Sequence, residues 1–236
     1  MGVDVFLIGM MLRDSWDDTT VAAAHEALTS VGLKSTSDRE GMITYEITAN
    51  EDGYSSSGRN QDTVSEFTQR LYEAKSGDIH YEFDSGRLRV THRSSAEFGD
   101  CSMPVGLGGL SAHLFDPETS GDDVVARRTE KLYDAFVGLS EAIDPDVASL
   151  VLWNDHGRTD MIPEATTPSE HDMNALPWLL LLSEPWIDYC GGREHVLQAP
   201  VYDINVLDTG SILLRVQERP SVNGCRYESG FEHLFD

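Results

Sequence analysis

The fold is decided by two neighbouring stretches, PWLLLLSEP at residues 177–185 and VYDINVLDTGSILLRV at residues 201–216. The apolar run 178–182 lies between two prolines and is too short for a core helix, so it predicts a strand buried on both faces. The second stretch predicts a β-hairpin, in which Gly210 takes a left-handed conformation to close the loop 208–210. Both predictions place a sheet at the centre of the fold.

The charge balance of the chain indicates the solvent in which it folds. Its 236 residues include 41 acidic and 17 basic side chains, for a formal net charge of -24, and only three of the basic residues are lysines. This composition resembles that of proteins from salt-in halophilic archaea, where molar salt shortens the Debye length to about 3 Å and screens self-repulsion. The alternative is an acidic mesophilic protein, such as a nucleic-acid mimic, but mimics concentrate their charge in blocks. We therefore predict a cytoplasmic protein of a halophilic archaeon.

The same composition disfavours several classes of function. No cluster of lysines or arginines is visible that could neutralise phosphates, so nucleic acid is not a predicted partner. A basic amphipathic helix, a signal peptide and an apolar run of about 20 residues are all missing, so a membrane is not one either. The cysteines are odd in number and lack CxxC spacing, which predicts reduced thiols and no zinc site. They are Cys101, Cys190 and Cys225.

The first half of the chain alternates strand and helix patterns. Thr63 and Glu66 form a capping-box pattern that opens a helix, and Gly77 is predicted to end it. The hairpin 79–91 turns at Asp84, Ser85 and Gly86. The other predicted elements are a central strand at 3–12, a helix from 21 to Gly32, a strand at 42–49 and a polar loop at 51–61.

The second half repeats this order of elements. After a polar linker at 92–100, it predicts a strand at 105–115, a long helix capped by Ser120, a strand at 148–153 and a helix at 186–197. The glycines of VGLGG, residues 105–109, predict close backbone packing, because the lysine of a phosphate-binding loop does not follow them.

Together these elements predict an α+β fold, with a mixed or antiparallel sheet covered by helices. The two halves, 1–98 and 99–236, share the order β-α-β-α-β-β, and their hairpins FDSGRLRV and LDTGSILLRV are alike. An ancient duplication explains this similarity, and so does chance reuse of a common hairpin. The halves could also form one continuous domain.

The two hairpin loops carry the pattern D-[ST]-G, which resembles the paired catalytic turns of aspartic proteases. Those enzymes consist almost wholly of strands, whereas this chain has four predicted helices, and the same pattern suits an ordinary hairpin loop. We therefore predict that Asp84 and Asp208 are turn residues that accept hydrogen bonds from their own loop amides. Gly86 and Gly210 are both predicted to have positive φ.

One polar stretch, residues 154–174, is a candidate site because catalytic groups concentrate on long loops that follow strands. A histidine with a neighbouring carboxylate would make a base and its orienting group, or half of a metal site. Neither H-x-H nor H-E-x-x-H is present, so no metal or cofactor is predicted. The candidate residues are Asp155, His156, Asp160, His171 and Asp172.

Because no catalytic constellation stands out, the sequence favours a non-enzymatic protein that binds another protein, as an adaptor, inhibitor or immunity-type factor. The alternative is a hydrolase or metal-dependent enzyme that uses the loop 154–174. The sequence leaves the oligomeric state open.

Overall fold

The computed structural model describes residues 5–13, 19–37, 39–49, 55–56, 58–74, 76–93, 105–154 and 177–220. Its strands are β1 (Val5–Leu12), β2 (Lys34–Ser35), β3 (Ile43–Ala49), β4 (Ser55–Ser56), β5 (Asn60–Asp62), β6 (Ser76–Phe83), β7 (Gly86–Arg93), β8 (Val105–Ser111), β9 (Val147–Asn154), β10 (Leu179–Leu182), β11 (Asp203–Val206) and β12 (Ile212–Arg215). Its helices are α1 (Thr19–Ser30), α2 (Val64–Glu73), α3 (Pro117–Ser120), α4 (Asp122–Ile143), α5 (Glu184–Tyr189) and α6 (Arg193–Val196), with a 3₁₀ turn at Ala112–Phe115.

All the strands belong to one antiparallel sheet, in the order β11-β12-β10-β9-β1-β8-β7-β6-β3-β4. Strand β2 pairs with β6, and β5 pairs with β3. The predicted α+β class is confirmed, and β1 is central as predicted.

One face of the sheet carries the main core, which α1, α2 and α4 cover. Their apolar stripes supply Leu28, Phe67, Phe136 and Leu139 to it, all fully buried. Among the described residues, the opposite face is covered only near β10 and β12, where Trp186 of α5 and its neighbours form a second, smaller core. The fold therefore has three layers, helices on both faces of the sheet, at its C-terminal end.

Strand β10 shows why the run of leucines is uninterrupted. Leu179 and Leu181 face the main core, while Leu180 and Leu182 face the smaller one, and all four are buried. Successive side chains of a strand point to opposite faces, so a strand between two helix layers needs apolar residues at every position. The prediction of a doubly buried strand is confirmed.

Several predicted element ends are wrong. Gly77 lies in β6 and does not end α2, whose C-cap is Ala74; a Cβ at position 77 would sit 2.6 Å from the Phe67 ring. Ser120 ends the short helix α3, and Gly121 precedes α4. Gly77 is required by packing against Phe67, which local signals do not report, whereas Gly121 has positive φ and a Cβ there would meet nothing within 4 Å.

The remaining corrections concern element type. The strand predicted at 105–115 ends at Ser111 and continues as the 3₁₀ turn. The helix predicted at 186–197 is two short helices, because Gly191 and Gly192 both have positive φ and interrupt it. The predicted polar loop 51–61 includes the short strands β4 and β5, and the rest of it lies largely outside the described residues.

The two hairpins turn differently. Gly210 has φ 90 and closes a three-residue loop, as predicted. In the other hairpin Phe83 pairs with Gly86, so the loop has two residues, and the positive φ falls on Asp84 instead of Gly86. Gly86 is needed for another reason, since a Cβ there would sit 3.0 Å from Leu114.

The similarity of the two halves does not extend to the order of their strands. Strand β3 lies near one end of the sheet, whereas its counterpart β9 pairs with β1 at the centre. The proposed boundary near residue 98 lies outside the described residues, so the division into halves stays a prediction. Within the described part of the chain, no helix has both the length and the apolarity to cross a membrane.

Candidate functional site

The five candidate residues of the polar loop lie outside the residues that the structure describes, and their role stays a prediction. They are Asp155, His156, Asp160, His171 and Asp172.

The two hairpin aspartates are far apart. Four strands separate β12 from β7, which places their hairpins about 24 Å from each other at the usual strand spacing. Asp84 is bound at 2.8 Å by Nε of Arg128, which lowers the pKa of its carboxyl group. The carboxylate thus joins the hairpin tip to α4. The prediction that Asp84 accepts hydrogen bonds from its own loop amides is not what the structure shows. A shared-proton dyad is excluded.

The structure directs attention to the C-terminal edge of the sheet. Strand β11 pairs with β12 on one side and has no further strand on the other side within the described residues. Every second residue of such an edge strand directs its backbone N–H and C=O away from the sheet. The edge therefore offers unpaired backbone groups to another extended chain.

Apolar side chains are exposed around this edge. Tyr202 is 57% exposed and Val206 is 49% exposed, at the two ends of β11. Leu197 and Tyr189 are also exposed, at the ends of α6 and α5. Among the described residues only one further large apolar side chain, Tyr72, is exposed. We name residues 189–206 with these four side chains the C-terminal edge.

Arg215 fixes the strand pair behind this edge. Its side chain is buried and donates to Oε1 of Glu130 on α4 at 2.7 Å and, through Nε, to the Glu218 carbonyl at 3.1 Å. The guanidinium lies 5.0 Å from the Tyr133 ring and 5.1 Å from the Tyr202 ring, within cation–π distance of both. Tyr202 is therefore held in place on one face while its other side remains open to solvent.

A cavity of about 340 Å³ opens beside Arg215, between α4 and the residues that follow β12. Carboxylates dominate its lining, and Arg219 donates to Asp122 across it at 2.9 Å. Within the described part of the chain, no three histidine, cysteine or carboxylate side chains are grouped so that they could hold a metal ion.

Cys190, the one cysteine among the described residues, lies within the span of the C-terminal edge. Its side chain is buried in the smaller core, and burial raises the pKa of the thiol to about 12. The thiolate is the reactive form of cysteine, so Cys190 is a packing residue and not a nucleophile.

A buried histidine lies on the other half of the sheet. His92, predicted to begin a linker, is instead in β7, fully buried against Phe67, and neither ring nitrogen has a hydrogen-bond partner among the described residues. Burial lowers its pKa to about 3, and burial also lowers the pKa values of His25 and His80.

The buried histidine predicts a loss of stability in acid. Below pH 6.5 the unfolded chain binds a proton at His92 that the native protein does not, so the free energy of unfolding falls as pH falls from 6.5 to about 3. The expected slope is about 1.4 kcal/mol per pH unit for this group. Urea unfolding between pH 7.5 and 5 should show a shallower decline for His92→Leu than for wild type, whereas His113→Leu, at an exposed position, should follow wild type. Equal declines for wild type and His92→Leu would contradict this assignment.

Comparisons with known proteins identify the fold and no family. No protein-family model matches the chain, and no curated protein matches it. Among solved structures, the fold is similar to that of the Pseudomonas aeruginosa T6SS protein PA0821. It superposes with a TM-score of 0.53 at 11% identity, covering 94% of this chain and 69% of that chain. At this identity the likeness shows a shared fold.

Sequence reasoning missed the C-terminal edge and its support. The sequence LLRV at 213–216 predicts part of a hairpin, and an arginine in a buried apolar strand also indicates a partner for its charge. That partner, Glu130, is 85 residues away in the chain, so no local pattern identifies it.

Proposed function

We propose that the protein is a non-enzymatic, protein-binding factor of a halophilic archaeal cytoplasm, of the adaptor, inhibitor or immunity type. The observation that carries this proposal is the C-terminal edge, where unpaired backbone groups of β11 lie between exposed Tyr202 and Val206. The likeness in fold to a T6SS protein is compatible with an immunity-type role. The alternative, an enzyme that uses the loop 154–174, stays a prediction.

The recognition mode that fits this edge is strand addition. An extended segment of the partner would pair with β11 through backbone hydrogen bonds, and apolar side chains on both sides would supply specificity. The prearranged Tyr202 favours this mode, because a side chain already held by Arg215 loses little conformational entropy on binding. The short β11 suits a partner strand of about four residues.

The test is capture of a binding partner from the native host in molar potassium chloride. Val206→Glu places a charge on the edge and should weaken the captured interaction at least tenfold, about 1.4 kcal/mol, while Val206→Thr keeps the β-branched shape and should retain it. Gln69→Glu adds the same charge at an exposed position of α2 and serves as the matched control. Undiminished binding by Val206→Glu, or equal loss in Gln69→Glu, would refute the C-terminal edge as the binding surface.

A further inference from the structure

A second surface lies on the face of the sheet that α1, α2 and α4 do not cover. Along β7, Leu88 and Val90 point into the main core, while Arg87 and Arg89 alternate with them and are exposed on the opposite face. The described residues place no helix of the smaller core against this part of the sheet. We name the exposed surface around Arg87 and Arg89 the arginine face.

Both arginines lack an ion-pair partner among the described residues. In a chain with 41 acidic residues, Arg87 and Arg89 form no ion pair in the described structure. Glu82 lies opposite Arg87 in the hairpin register without forming an ion pair with it, while Glu46 binds Arg59 at 3.5 Å and Asp78 accepts a hydrogen bond from Thr91 at 2.5 Å. Two cations remain available on an otherwise acidic molecule.

The neighbouring strand β8 has glycines beside the arginine face. Gly108 lies directly opposite Arg89, and Gly106 lies opposite Thr91, so β8 presents no side chain beside these two residues. A Cβ at position 108 would lie 3.4 Å from the Arg89 guanidinium, which shows that Arg89 extends across the glycine. The close packing predicted for VGLGG therefore involves the Arg89 side chain, which occupies the space that a side chain at position 108 would fill.

We propose that the arginine face binds an acidic segment of a protein partner, through carboxylates on alternate residues of an extended chain. Residues two apart on a strand are about 7 Å apart, so Arg87 and Arg89 match the spacing of acidic side chains at positions i and i+2. Arginine binds carboxylates in bidentate pairs, whose directed hydrogen bonds add to the charge attraction that salt screens. Phosphate contacts to nucleic acid lose affinity steeply as salt rises, which favours a protein ligand in a salt-rich cell.

This surface is distinct from the C-terminal edge. Four strands lie between β7 and β12, and recognition here uses charged side chains instead of backbone groups. The sequence shows no basic cluster because the two arginines alternate with apolar residues. Only the two-residue period of a strand brings them onto one face.

Fluorescence anisotropy in molar potassium chloride tests the proposal with a labelled octapeptide of four Glu-Thr repeats. The double variant Arg87→Gln/Arg89→Gln should bind this peptide at least tenfold more weakly than wild type. Arg39→Gln, at an exposed arginine of the β2–β3 loop, should bind like wild type. Thermal unfolding of both variants should match wild type, since neither loses an ion pair of the described structure.

Two further probes separate the possible ligands. A Gln-Thr octapeptide should bind at least tenfold more weakly than the Glu-Thr peptide, and a labelled single-stranded oligothymidylate should not compete with it. Equal binding of the two peptides, no loss in the double variant, or preferential binding of the oligonucleotide would each overturn the proposal. Val206→Glu leaves the arginine face intact. The peptide experiment therefore tests the arginine face independently, whether or not the C-terminal edge proves to be a binding surface.

Discussion

In dilute buffer the protein is expected to lose its native circular dichroism spectrum, and molar potassium chloride should restore it. The formal charge of -24 gives a large mutual repulsion among 41 carboxylates, which only 17 basic residues can offset. At low ionic strength the Debye length reaches about 30 Å, so carboxylates across the whole molecule repel one another, whereas at molar salt it falls to about 3 Å. Unfolding separates the charges, and the repulsion therefore favours the unfolded chain when it is unscreened.

Charge removal provides the matched control for this salt dependence. Replacing Glu26, Glu40 and Glu141, three exposed residues, by Gln changes the formal charge by three and leaves the described hydrogen bonds in place. The variant should fold at a lower potassium chloride concentration than wild type, as measured by the midpoint of the salt titration. A wild-type protein that is equally stable without salt would contradict the halophilic assignment.

Trp178→Ala is expected to cost about 3–5 kcal/mol of the free energy of unfolding, as large aromatic truncations in cores do. The indole is 1% exposed, its Nε1 donates to the Gln217 carbonyl at 3.0 Å, and the Arg215 guanidinium lies 6.0 Å from its ring. Removing it leaves a cavity at the start of β10 and withdraws one of the rings that face Arg215.

Denaturant unfolding in molar salt measures this effect. Trp178→Phe keeps most of the buried area and loses the hydrogen bond, so its cost should be about 1–2 kcal/mol. Tyr72→Ala, at a side chain that is 58% exposed, should change the free energy by less than about 0.5 kcal/mol. Similar small effects for Trp178→Ala and Tyr72→Ala would show that the tryptophan is not part of the core.

Local signals were enough to predict the elements of this fold. The capping box at Thr63 and Glu66 forms as expected, with both reciprocal hydrogen bonds present. The leucine run of β10 and the loop closed by Gly210 were also predicted, because strand burial and left-handed conformations impose residue types directly on the sequence. Each of these features depends on residues within a few positions of one another.

Features that depend on distant residues could not be predicted. Gly86 is constrained by Leu114, and Arg215 is positioned by Glu130, so their roles follow from how helices dock onto the sheet. The C-terminal edge could not be predicted for the same reason, since an edge strand is recognised only once the order of strands is known. The five candidate residues of the polar loop lie outside the described structure, and their assignment remains a prediction.

The two ends of the sheet differ in a way that limits self-association. Beside β3 at one end lie β4 and β5, which have two and three residues, and such short strands are poor templates for a further strand. The other end offers β11, with its four residues. Within the described part of the chain, growth by strand addition therefore has a single starting point. Two copies joined through β11 would form a closed pair with two-fold symmetry, and the described residues offer no other open edge of four residues to extend it into a fibre.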